Sequence, residues 1–186
     1  MQQVLGYGST LLKCFCLLHQ VHAHFYEFTE TRGESMLPTL APHGDFVHVL
    51  KGRVHRRPAP DTGDSSTRGL HMGDCVVLRK PNDPRSRVCK RITGMPGDII
   101  EVDPSYDGVD DEESALIEVP KGHVWVTGDN LSYSLDSRSY SAVPLGLLLG
   151  KVVAANDFSK PARNPETGAW FGYRRIRNNY LEVSAD

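Results

Sequence analysis

Apolar positions change rhythm near residue 28 of this chain. Before that point the chain leans apolar: Leu5, Leu11, Leu12, Phe15, Leu17, Leu18, Val21 and Phe25 all fall between Val4 and Phe28. Such a stretch is long enough to span a bilayer, which takes about 20 residues. Lys13 stands in its middle, however, and a central lysine costs about 2.5–3.5 kcal/mol on insertion scales. His19, His22 and His24 make its second half polar. The pattern predicts that residues 1–27 form a membrane anchor, an interfacial helix, or a helix that inserts beside a partner. A cleaved secretory signal fits poorly, because no basic residue precedes Lys13 and no small-residue cleavage site follows.

Beyond residue 28 the apolar positions come in short alternating runs. FVHVL after Asp45 reads as a strand, and so do CVVLRK, the stretch from Arg87 to Thr93, IIEVD, ALIEVP, HVWVT and GKVVAA. Turn chemistry separates them. PNDPRS is turn-prone, and Pro96-Gly97 in GMPGD suits the two central positions of a type II turn. Residues 51–70 have no apolar periodicity and read as an exposed loop; residues 106–114 read as an acidic, solvent-facing connection. AVPLGLLLG is apolar but too short to span a membrane, and predicts a core strand or a short helical turn. From Asn164 onwards, Trp170, Phe171, Tyr173 and Tyr180 lie beside Arg174, Arg175 and Arg177, as in a strand closing onto the core or, alternatively, an interaction surface. The fold class is therefore mainly β, a coiled or barrel-like domain over residues 28–186 behind an N-terminal helix.

Composition narrows the function. The 186 residues carry 21 basic and 23 acidic side chains, a net of −2, which excludes an electrostatic binder of nucleic acid. Cys14, Cys16, Cys75 and Cys89 lack the spacing of a zinc site and read as free thiols. No metal and no cofactor is implied, since no spaced histidine or cysteine set occurs and the His19, His22 and His24 cluster is commonly just a polar helix face.

Two residues carry candidate chemistry. Ser35 lies in RGESMLPTL, between Gly33 and Pro38, and Lys90 opens KRITGMPGD. A serine needs a base to attack an acyl group, and a desolvated lysine can be that base. A lysine at its ordinary pKa is neutral only about 0.04% of the time at pH 7, but burial can lower that pKa by up to 3–5 units. Val88 and Ile92 flank Lys90 at the strand period and share its face, while Arg91 points the other way. Taken alone, Lys90 also reads as an ordinary charged residue on the solvent side of a strand. The nucleophile elbow G-x-S-x-G is absent, and Pro38 occupies the lysine position of S-x-x-K. A third segment, VTGDNLSYSLDSRSY, begins with a turn at Gly128, Asp129 and Asn130 and continues through Ser132, Ser134, Asp136, Ser137 and Arg138. Such density of short hydrogen-bonding side chains suits a self-satisfied loop, or a shell that orients a neutral lysine. Asn130-Leu131-Ser132 is a glycosylation sequon, in a turn too tight to suit modification.

These three segments, in this order, resemble the serine, lysine and Gly-Asp-Asn…Ser-x-Asp-Ser-Arg boxes of the type I signal peptidase family. RGESMLPTL, MGDCVVLRKP, CKRITGMPGDII and GHVWVTGDNLSYSLDSR resemble its mitochondrial inner-membrane members most, fungal ones above all. The resemblance covers most of residues 27–160. It implies that Ser35 is the nucleophile and Lys90 the general base, with Ser134 orienting the lysine. Asp136 and Arg138 would be a supporting ion pair, with Asp129 and Asn130 in the turn before it. The backbone N–H of Ser35 would serve the oxyanion hole. Some members add a serine hydroxyl where Gly33 stands, so a second donor near Gly33 has no assigned source. The resemblance further implies an N-terminal anchor in the mitochondrial inner membrane with the catalytic domain facing the intermembrane space. A related second protease subunit is the implied partner, and precursor proteins with cleavable sorting peptides the implied substrates. Two other readings compete: a self-cleaving Ser-Lys regulator, and a non-catalytic β-domain subunit that stabilises a partner protease. The first lacks room for a DNA-binding domain, and retention of both Ser35 and Lys90 weighs against the second.

Overall fold

The computed structural model describes residues 2–52, 69–102 and 115–178. The expected loop at 51–70 falls mostly outside them, as do the connection at 106–114 and Tyr180. The apolar N-terminal run forms α1 (Gln2–His24), whose side chains from Tyr7 onwards are exposed. The described residues contain no helix long and apolar enough to cross a membrane. Lys13 and the histidines are the physical reason.

The chain then passes directly into β1 (Tyr26–Thr31) and β2 (Asp45–Leu50). β3 (Cys75–Lys80) and β4 (Asp83–Gly94) form a hairpin, and β5 (Ile99–Val102) pairs with β6 (Ala115–Glu118) in a separate ribbon. β7 (His123–Thr127), a helical turn α2 (Ser137–Tyr140), β8 (Val143–Pro144), β9 (Leu148–Asp157) and β10 (Arg174–Arg175) complete the order. The main sheet runs β1-β2-β9-β3-β4-β7-β8, antiparallel throughout, with β10 also on β9. AVPLGLLLG supplies both of its expected forms, a 3-10 turn at Leu145–Leu147 leading into β9.

Alternation places the core. β3 is buried on both faces: Val76 and Leu78 join Ile92, Val124, Val126 and Leu148, while Cys75 and Val77 join Met36, Leu40, Val47 and Val152. β4 begins at Asp83, earlier than the turn-prone PNDPRS suggests, because only Pro81 and Asn82 are needed to close the hairpin. Pro84 is tolerated since β7 meets β4 only from Arg91 onwards, leaving one edge of residues 83–90 unpaired among the described residues. The type II turn forms as its sequence predicts: Gly97 has φ +92° and Asp98 N–H donates to Met95 O at 3.0 Å.

The sheet coils until β1 and β4 approach each other without joining as strands. Glu27 on β1 meets Arg87 on β4 and Lys51 Nζ, the latter at 2.7 Å. Lys51 also donates to the carbonyls of His22 (3.2 Å) and Ala23 (3.4 Å), a cationic cap on the last turn of α1. This network ties the N-terminal helix to the gap between β1 and β4.

Candidate active site

Ser35 lies in the loop joining β1 to β2, and local chemistry shapes that loop. Gly33 adopts φ +107°, a region that disfavours side chains, and its N–H donates to Pro42 O at 2.8 Å. Glycine here therefore follows from the turn, and its N–H is already engaged. Met36 and Leu40 anchor the loop in the core, and Leu40 N–H donates to Met36 O at 2.9 Å. Ser35 stays half-buried at the mouth of a groove of about 150 Å³, lined by Thr29, Thr31, Met36, Val77, Arg87 and Val88 among others.

The third segment docks flush on this loop. Asn130 N–H donates to Ser35 O at 3.0 Å, and Asn130 Nδ2 donates to Glu34 O at 3.2 Å. Gly128 makes the approach possible. A Cβ there would sit 2.3 Å from Ser134 Oγ and 2.4 Å from Ser35 O, which no side chain can do. With its amide committed to Glu34, Asn130 is a poor glycan acceptor.

Lys90 lies on β4 opposite Val76, and only 3% of it is exposed. Among the described residues its amine enters no ion pair, and no hydrogen bond links it to Ser35 Oγ. Burial pushes its pKa below the ordinary lysine value; Asp136, Cys89 and Asp129 oppose that shift and Arg138 adds to it. Catalytic hydrogen bonds are often loose until substrate closes them. The neighbouring Cys89 thiol is pushed up to about 12, chiefly by burial, and Cys75 is raised likewise, so both are inert thiols.

Asp136 is fully buried and collects the charge-assisted contacts of the site. It caps α2, accepting Arg138 N–H at 3.2 Å, and accepts Gly128 N–H at 2.9 Å. The Arg138 guanidinium grips both of its oxygens at 2.9 Å and donates to Leu131 O at 2.7 Å. Burial alone would raise the Asp136 pKa; hydrogen bonds from Arg138, Ser134 and Gly128 outweigh it and hold the carboxyl below its ordinary value. Ser134 is 3% exposed and held beside Gly128 and Asp136. Ser137 Oγ accepts Val126 N–H at 2.9 Å, fixing α2 to β7.

Arg91 was legible only as a residue on the face away from Lys90. It is in fact a buried clamp. Its Nε and Nη2 each reach Asp129 at 2.7 Å, its Nη1 donates to Gly73 O at 2.7 Å, and Thr39 Oγ1 donates to the same carboxylate. Thr39 belongs to the Ser35 loop, so one bidentate pair joins all three segments. An arginine within an apolar strand demands a carboxylate partner, and this was the available signal for it.

The model of the family described as "Signal peptidase, peptidase S26" matches residues 4–107 and 103–155. The chain is 51% identical to mitochondrial inner membrane protease subunit 1 of Saccharomyces cerevisiae, covering 95% of this chain and 92% of that one. It is 44% identical to the subunit 1 protein of Schizosaccharomyces pombe over 74% of this chain and 77% of that one. Subunit 2 of the Saccharomyces cerevisiae protease is 29% identical over 74% of this chain and 71% of that one.

Proposed function

This chain belongs to the signal peptidase family as a serine endopeptidase of the mitochondrial inner membrane, and we propose that Ser35 is its nucleophile and Lys90 its general base. The observation that carries the reading is a lysine 3% exposed, without an ion pair among the described residues, on the strand that walls the groove at Ser35. A neutral Lys90 amine takes the Ser35 Oγ proton as the oxygen attacks the scissile carbonyl. The tetrahedral oxyanion rests on the Ser35 N–H. The resulting ammonium protonates the leaving amine, the peptide bond breaks, and the N-terminal product remains as an ester on Ser35. Water, activated by the same amine, then hydrolyses the ester.

Ser134, Asp136 and Arg138 hold the lysine's surroundings, and Asp129 and Asn130 hold the Ser35 loop against them. An extended substrate enters between β1 and the open edge of β4, gaining backbone hydrogen bonds as an added strand. The anchor is the helix α1 (Gln2–His24), and the catalytic domain, facing the intermembrane space, starts with β1 at Tyr26, two residues earlier than the expected boundary at residue 28, because Tyr26 and Glu27 already pair with β2. The Lys51–Glu27–Arg87 network holds that anchor close to the groove. An anchor carrying Lys13 inserts best against a partner helix, and a related second subunit is the partner proposed. Substrates are precursors with cleavable sorting peptides.

Ser35→Ala and Lys90→Ala proteins should fold and fail to cleave precursors. Substantial processing by purified Lys90→Ala protein would sink the dyad. Mapping the termini of precursors that accumulate in these variants identifies the substrates.

A further inference from the structure

The Ser35 loop is gripped from behind by a part of the chain beyond the stretch that matches the family model, which ends at residue 155. Asn156 helps to turn the chain back, its Nδ2 donating to the carbonyls of Trp170 (3.1 Å) and Phe171 (3.2 Å). β10 then pairs Arg174 with Ala155, and Ile176 N–H donates to Val153 O at 3.0 Å. This brings Arg174 to Asp45, which is fully buried. Arg174 Nη1 donates to Asp45 Oδ1 at 3.0 Å, and Nη2 donates to Asp45 Oδ2 and to the Thr39 carbonyl, the latter at 3.2 Å. Asp45 Oδ2 also accepts the Ala41 N–H at 2.6 Å. Two residues on, Ile176 packs on the cluster holding Met36 and Leu40, and Arg177 O accepts from Arg91 Nη1 at 3.3 Å. The strap therefore touches the loop that carries Ser35 and the residue next to Lys90.

Neutralising a buried carboxylate needs only a cation beside it. The contacts to Thr39 and Ala41 do more: they fix the far limb of the loop whose near limb presents Ser35. We propose that Arg174 is a positioning residue for this peptidase, holding the loop at residues 33–42 so that Ser35 Oγ meets the substrate carbonyl. The proposal rests on Ser35 being the nucleophile.

The test uses the full-length chain in detergent with internally quenched peptides carrying Asn, Ala or Ser before the cut, the peptide that wild type cleaves fastest serving throughout. Arg174→Ala should lower kcat by about 10–100-fold, the scale of a misplacement near 1 Å, with KM within about twofold. Arg174→Lys should recover part of kcat, because it keeps a charge by Asp45 but lacks the fork that reaches Thr39. The acid limb of the pH profile should not move in either variant, and Arg175→Ala, on the exposed neighbour, should match wild type. If Arg174→Ala fails to fold, Arg174→Lys decides: wild-type kcat with an unchanged circular dichroism spectrum overturns the proposal, as does an effect on KM alone. Ser35→Ala runs in parallel. Cleavage by that variant overturns the nucleophile reading itself, whereas an inert Ser35→Ala beside a fully active Arg174→Lys overturns only the positioning role.

Discussion

Two adjacent cations on β4 have opposite fates. Lys90 and Arg91 are 3% and 6% exposed, yet Arg91 is neutralised by a bidentate carboxylate and Lys90 is in no ion pair among the described residues. Burial is the same; the partner differs. Arg91 faces Asp129, so its charge is kept and spent on structure. Lys90 feels the charge of Asp136, but that carboxylate is already gripped by Arg138. Desolvation acts on both cations; at Arg91 the Asp129 hydrogen bonds outweigh it, whereas at Lys90 it prevails and favours the neutral form. One strand thus separates a structural cation from the proposed base by one residue.

The sharpest way to break the comparison is to make the two residues alike. Lys90→Arg puts a cation that cannot deprotonate where a base is needed, and should cut kcat/KM by roughly 10²–10⁴-fold, the full span of general-base catalysis. Activity near wild type in a peptide assay would remove Lys90 from the mechanism. Gly128→Ala comes next. Its methyl group collides with Ser134 Oγ and Ser35 O, so turnover should drop about 10²-fold as the third segment lifts off the loop. Arg91→Ala leaves Asp129 without its guanidinium and should cost about 3–5 kcal/mol in a denaturant titration. An Arg91→Ala protein of wild-type stability would mean that the clamp is idle.

Smaller effects sharpen the same contrast through pH. The folded-state pKa of Asp136 is depressed, so its contribution to stability is present above the unfolded carboxyl pKa of about 3.9 and is lost as pH falls through the folded value. Asp136→Asn should flatten the acid side of the stability curve followed by thermal unfolding. Lys90 works in the other sense. Its folded pKa is depressed, so the unfolded chain binds the extra proton and stability rises with pH between the folded value and about 10.4. Lys90→Met should flatten that slope and raise the melting temperature at neutral pH, the smallest of these changes.

Legibility followed locality. β2 and β9 announce themselves by alternation, because each has a face that must be buried, and β3 by the apolar run CVVL, because both its faces are buried. β1 did not: YEFTET is polar, follows the apolar run directly, and is a strand only because β2 pairs with it. Ser35, Lys90, Ser134, Asp136 and Arg138 were legible through the resemblance of their segments, and the structure brings those segments together. Arg91 and Arg174 were not, since their partners lie 38 and 129 residues away and nothing in the flanking sequence names them. The tail promised a closing strand and supplies one, but its pattern does not distinguish Arg174, which grips the Ser35 loop, from Arg175 and Arg177.

Titration of Lys90 by NMR, with lysine labelled at Cε and Lys90→Met used for assignment, tests the central claim most directly. Lys90 should titrate well below the ordinary value of about 10.4, matching the acid limb of kcat/KM. A Lys90 that titrates with the surface lysines, beside a rate profile flat down to about pH 5, would contradict it.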